Sequence, residues 1–139
     1  MRIYQYPLTL LILLVLSSCV HMAVRDGAGS IEKQVTAFWA AKVQGEWGKA
    51  YTFLCNDARA QTSEADFIRS AGLRISTFTV GAIDREAEGK KAVVTVSFNA
   101  VAMGFELKGV TVKDEWIYED GAWNICPRPG GAKALFEKK

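Results

Sequence analysis

The chain is poor in histidine, has no long apolar run and carries almost no excess of charge, and each scarcity excludes something. Its one histidine is His21, close to the start of 139 residues. The remaining chain therefore has no imidazole, which removes Ser-His-Asp and Cys-His nucleophilic sites and every histidine-ligated metal site from it. There is no Gly-rich phosphate loop either, and no cofactor or metal is expected. Lys and Arg number 17 against 15 Asp and Glu, a formal net charge of +2. The two signs are interspersed, so nothing resembles the basic footprint of a nucleic-acid binder, and no nucleic-acid partner is expected. The N-terminal apolar run, Leu8 to Leu16 with Thr9 as its one break, would be about 13–14 Å long as a helix. A bilayer core of about 30 Å takes about 20 apolar residues, so the run is too short to span.

It does suit the core of a signal peptide. Arg2 supplies the positive charge before it, and Leu16-Ser17-Ser18-Cys19 follows at its end. That tetrapeptide resembles a lipobox, the maturation signal of bacterial lipoproteins. The resemblance implies cleavage after residue 18, leaving Cys19 as the lipidated N-terminus. The competing reading is an ordinary secretory signal with a chance cysteine. One acyl chain gives only marginal attachment, whereas two or three on one residue hold stably; the mature chain would be neither free nor spanning. In Gram-negative bacteria an aspartate after the lipidated cysteine signals inner-membrane retention. Val20 stands there, which implies the outer membrane, facing the periplasm, if the source is Gram-negative. Residues 19–29 read as the lipidated cysteine and a flexible tether, with a reach of roughly 16–19 Å for ten residues.

Removing the first 18 of 139 residues leaves 121, enough for one domain of ordinary size. With Cys19 lipidated, Cys55 and Cys126 remain. In an oxidising envelope they either pair or stay as two buried thiols that pack as small apolar groups.

Periodicity places helices first and strands afterwards. Ser30 caps a helix whose stripe is Ile31, Val35, Phe38, Trp39 and Val43, spaced for one helical face, and Gly45 ends it. A second short helix begins near Glu46 with Trp47, Ala50, Tyr51 and Leu54 on one side. Ser63-x-x-Asp66 approximates a capping box and opens a third, through Phe67, Ile68 and Ala71. Asn56-Asp57-Ala58-Arg59 between them reads as loop. From Leu73 the period becomes two. Leu73 to Asp84 forms one strand, and Glu88-Gly89 turns the chain. Ala92, Val94, Val96, Phe98 and Ala100 then alternate with more polar neighbours. After Met103-Gly104, Phe105 and Leu107 lie on one parity and Val110, Val112, Trp116 and Tyr118 on the other. A parity switch needs an extra residue, which makes Gly109 the candidate β-bulge. Asp120-Gly121 is a hairpin signal before Ala122 to Cys126, and Trp116 and Trp123 are expected to meet across it. The fold class is α+β: three N-terminal helices on a four-stranded antiparallel sheet over residues 30–127, with a tail over residues 128–139.

Phe38-Trp39, Gln44-Gly45-Glu46-Trp47-Gly48-Lys49-Ala50-Tyr51 and Glu115-Trp116-Ile117-Tyr118-Glu119-Asp120-Gly121-Ala122-Trp123-Asn124-Ile125 together resemble the nuclear transport factor 2-like superfamily, the cystatin-like α+β cones. They are most similar to small bacterial lipoproteins carrying one such domain, although Glu46 stands where aspartate is usual. The resemblance covers nearly all of residues 30–126 and implies a curved sheet closed by helices into a cone. Some relatives, such as ketosteroid isomerase, polyketide cyclases and scytalone dehydratase, work inside that cone. An isomerase of this kind needs an aspartate base with tyrosine and aspartic-acid donors. The candidates here are Tyr51, Asp57, Asp84 and Tyr118. Asp57 and Asp84 lie in charged stretches that read as solvated. The inner strand positions Val94, Val96, Phe98, Val110 and Val112 include no carboxylate, so no enzyme is expected. The favoured reading is a non-catalytic envelope interaction or scaffold module with a protein partner. The alternatives are an apolar-ligand pocket lined by Tyr51, Phe98, Trp116 and Tyr118 and, remotely, an isomerase- or cyclase-like enzyme.

Overall fold

The structure, a computed structural model, describes residues 30–128. Helix α1 runs Ile31–Gln44. Ser30 Oγ accepts the backbone N–H of Lys33 at its start, and Gly45 closes it in the left-handed region at φ 75°. Both ends are thus satisfied by the residues that the sequence marks, as helix termini require. Three short segments follow: α2 (Trp47–Tyr51), α3 (Asn56–Gln61) and α4 (Glu64–Arg69). Among the described residues there are therefore four helical segments where periodicity suggests three. The added one, α3, occupies Asn56 to Arg59, which reads as loop. It buries no side chain, so it has no apolar stripe to betray it. None of these helices is long and apolar enough to cross a membrane.

The four strands are β1 (Arg74–Arg85), β2 (Lys91–Ala102), β3 (Phe105–Glu119) and β4 (Ala122–Ile125), and they form one antiparallel sheet in chain order. Along β2 burial alternates without a break, with Ala92, Val94, Val96, Phe98 and Ala100 inward. Their β3 partners are Trp116, Asp114, Val112, Val110 and Leu107. The register moves two residues on β2 and three on β3 between the last two pairs. The extra residue lies where the parity change places it. Gly109 adopts φ 62° there, and its N–H donates to Asn99 Oδ1 at 2.8 Å. That bond anchors the bulge to the neighbouring strand.

Helix α1 lies against the inward face. Trp39 packs on Phe98 and Phe78, with ring centroids 5.1 and 6.1 Å away. Phe38 meets Trp116 at 5.9 Å and Phe53 at 6.1 Å. Aromatic pairs at these distances add to the burial of large apolar areas. Trp116 and Trp123 behave differently from expectation. Trp116 stands opposite Ile125, whereas Trp123 stands opposite Tyr118, with rings 5.5 Å apart. The two-residue Asp120-Gly121 turn sets this register, so Trp116 and Trp123 do not meet.

The chain closes where α2 ends. Leu54 and Ile125 form a parallel bridge. Cys55 N–H donates to Ile125 O and Ile125 N–H to Phe53 O, both at 2.8 Å. Cys55 and Cys126 are joined by a disulfide with their Cα atoms 5.3 Å apart, inside the range that such a bond spans.

Candidate functional site

Among the described residues, a lysine and a carboxylate reach the edge of the core between α1 and β3, while the buried polar side chain Asn124 lies on β4. Lys42 lies on α1 three and four residues after Trp39 and Phe38, so the helix puts it beside both rings. Its Nζ is 3.9 Å from the Trp39 ring centroid, 5.1 Å from Phe38 and 5.8 Å from Trp47. This is cation–π geometry. Facing it from β3 is Asp114, whose cross-strand partner is the fully buried Val94. Trp39 Nε1 donates to Asp114 Oδ2 at 2.9 Å. Lys42 and Asp114 feel each other's field without forming an ion pair or hydrogen bond with one another.

Both groups titrate abnormally. Burial pulls the Lys42 ammonium down to about 8, although the Asp114 charge acts the other way. Burial also pushes the Asp114 carboxyl up, against the opposing effects of the Trp39 hydrogen bond and the Lys42 charge. Desolvation disfavours the charged form of each, and it outweighs their mutual attraction. The Trp39 indole touches both groups, its ring face against the Lys42 amine and its N–H on the Asp114 carboxyl.

Asp114 corrects the expectation of an inner face without carboxylates. The parity signal was present: residue 114 lies between Val112 and Trp116 on the inward set. Lys42 was legible in the same way, as a charged residue on the apolar stripe of α1.

The residues singled out from sequence do not converge. Phe98 and Trp116 are buried in the core around α1, six residues apart in β2 register. The indole N–H of Trp116 has no hydrogen-bond partner among the described residues. Tyr118 belongs to the β3–β4 hairpin with Trp123. Tyr51 packs on Phe67 at 5.7 Å, and its hydroxyl donates to the Thr62 carbonyl at 2.9 Å. Asp57 and Asp84 are exposed. Tyr51 thus ties α2 to the start of α4. Tyr51→Phe is expected to cost about 1 kcal/mol, the net contribution of one hydrogen bond, measured by chemical denaturation at constant m-value. Cys19, the tether and the C-terminal tail lie outside the described residues. No group of three or more potential metal ligands occurs among the described residues.

The chain has no match among protein-family models or curated proteins. What it does has to be argued from its own residues.

Among the described residues, the exposed large apolar side chains are Ile68, Met103 and Phe105. Met103 and Phe105 flank Gly104 at the tip of the β2–β3 hairpin, 91% and 72% exposed. Met103 holds φ 48°, a left-handed conformation that costs a residue with a Cβ about 1–2 kcal/mol. The two-residue turn prefers Asn or Gly there. The sequence marks Met103-Gly104 as a turn but carries no signal for the exposure of the apolar side chains there. The opposite face of the sheet, near the bulge, carries a shallow depression of about 90 Å³ lined chiefly by Thr77, Thr79, Ser97 and Asn99.

Proposed function

We propose that this chain is a lipid-tethered module of the bacterial envelope that acts by binding another protein and not by catalysis. Its domain is read as a nuclear transport factor 2-like cone. The observation that carries the reading is the β2–β3 tip. Met103 is almost wholly in water and its backbone is in a costly region, so the fold gains nothing from a methionine there. A side chain that weakens its own turn without being buried earns its place by what it touches outside the domain. Phe105 beside it widens the apolar surface, and aromatic and methionine side chains are the residues that protein interfaces favour. The tether is supported by Leu16-Ser17-Ser18-Cys19 after the apolar run.

The interior favours binding over turnover in the reading because it is occupied. Trp39, Phe98 and Trp116 are buried in the core, which supports an interior given to packing. The hydroxyl of Tyr51 is committed to a backbone carbonyl.

Two measurements test the reading. Metabolic labelling with palmitate should mark the wild-type chain and send it to the membrane fraction, while Cys19→Ala remains unlabelled and unanchored. A photo-crosslinking amino acid placed at residue 103 in living cells should give a discrete adduct with one envelope protein. The same probe at exposed Glu88, on the other end of the sheet, should not. Equal, diffuse labelling from both positions would remove the interaction module; an unmodified Cys19 in the mature chain would remove the tether.

A further inference from the structure

The two edges of the sheet are managed differently. β4 is four residues long, and the backbone of Ile125 on its outer side is bonded to Phe53 and Cys55. β1 is twelve residues long and pairs with β2 alone. Its other side presents a row of backbone donors and acceptors with no strand partner among the described residues. Edge strands are usually blunted by shortness, lysine or proline. β1 uses none of these: Ser76 to Ile83 contains no charge and no proline, and Ser76, Thr77, Thr79, Gly81 and Ala82 are exposed. It does carry two bulges, between Ile75 and Thr77 and between Val80 and Ile83. Each is one extra residue on β1, which advances two and three residues where β2 advances one and two. Ser76 and Ala82, within these bulges, stand at equal distances from Thr79.

We infer that β1 pairs antiparallel with β1 of a second copy of this chain, about a two-fold axis at Thr79, so that two four-stranded sheets become one. In this register Arg74 faces Asp84 of the second copy, and the symmetry repeats the pair. Both residues lie on the outer face, opposite Val101 and Val93 of β2. Among the described residues neither makes an ion pair within its own chain. Ile75 faces Ile83 and Phe78 faces Val80, and the β2 partners of all four belong to the inward set. Thr79 meets its own copy, a favourable cross-strand pair. The bulges also face each other, Ser76 against Ala82, so the two edges bend in step.

Other axes lose this match. Centred on Val80, Thr77 of the outer face would stand opposite Ile83 of the inner one, which mixes the two faces. Centred on Phe78, Asp84 would stand opposite Gly72, outside the strand. Phe78, Val80 and Ile83 are only half-buried in the single chain, so pairing at Thr79 covers apolar surface as well as backbone. The inference goes beyond the hairpin-tip reading and does not rest on it, because the tip is built from β2 and β3.

The test uses the full-length chain in membranes of the cells that make it. Thr79→Cys puts a thiol on the axis, where directly opposed residues have Cα atoms about 4.5–5.5 Å apart, a span that a disulfide bridges. Mild oxidation should convert most of the chain to a dimer linked through position 79 of both copies, identified by peptide mass spectrometry. Thr111→Cys, on the same face two strands away, should remain monomeric. In the Thr79→Cys chain, Arg74→Asp should cut the dimer yield several-fold by setting like charges opposite each other, and adding Asp84→Arg should restore it. A yield from Thr79→Cys no higher than from Thr111→Cys, or linkage to a different protein in place of a second copy, overturns the pairing. An unchanged yield in Arg74→Asp, or a charge swap that fails to recover the dimer, overturns the Thr79 register. The crosslink from residue 103 is a separate readout, so the two readings fail independently.

Discussion

Replacing Cys55 and Cys126 together by alanine should lower the free energy of unfolding by about 4 kcal/mol. The cysteines are 71 residues apart in sequence, so the bond removes a long loop's worth of freedom from the unfolded chain, and in the chain-entropy model the gain rises with the logarithm of loop length. Their neighbours show what is lost in the folded state. Leu54, Cys55 and Ile125 are all buried, and two backbone hydrogen bonds cross the same junction. The double variant should retain the sheet and unfold at lower denaturant, by circular dichroism, with a similar m-value. A stability within about 1 kcal/mol of the wild type would mean that the bond is dispensable to the fold. Reducing agent should act like the double substitution on the wild-type chain and have no effect on the variant.

The second large effect is a rise of stability in alkali. Lys42 is the reason: burial holds its folded pKa at about 8, below the ordinary lysine value of 10.5. Below pH 8 both the folded and unfolded chains carry the proton, and the folded one bears the full cost of a desolvated ammonium. Between about pH 8 and 10.5 the unfolded chain binds more protons than the folded chain, so the linkage relation makes stability increase with pH. The full amplitude is about 3 kcal/mol. Asp114 works at the other end of the scale. Its carboxyl is pushed up by burial, so its neutral form is favoured in the folded state. It contributes stability at acid pH that fades as the pH climbs through its folded value. Denaturant midpoints measured from pH 7 to 10.5 should climb for the wild type and lose that climb in Lys42→Met, which keeps the apolar stem against Trp39. A wild-type profile that is flat or falling across that window would place the amine in water.

Much of the architecture was written in local patterns. Ser30 and Gly45 bracket α1 because they answer the two ends of a helix. The parity change at Gly109 predicts a bulge because strand geometry allows no other way to keep both halves facing the core. Asp120-Gly121 sets a hairpin for the same local reason. What escaped detection depended on partners distant in sequence. Segment α3 has no buried face, so no periodicity marks it. The pairing of Trp123 with Tyr118 follows from a turn register that the tryptophan spacing does not reveal. Asp114 sat on the inward parity all along, but a carboxylate among valines is tolerable only because Trp39, 75 residues earlier, offers it a hydrogen bond. The exposure of Met103 and Phe105 depends on where the helical layer stops, which is a property of the assembled domain.

The Cys55–Cys126 bond also constrains the order in which the chain can assemble. The sheet is a meander in which every strand pairs with its successor, through hairpins of short span, so its contacts close small loops and form early. The two sulfurs, by contrast, meet only after the end of α2 has docked beside the last strand, when β4 is already paired. Oxidation therefore records a nearly finished fold. Three thiols in one chain allow three pairings, two of which would use Cys19 and hold the N-terminal region against the wrong part of the domain. If Cys19 is acylated before folding, as the proposed tether requires, a single pairing is left, and the lipid would also act as a guard against misfolding.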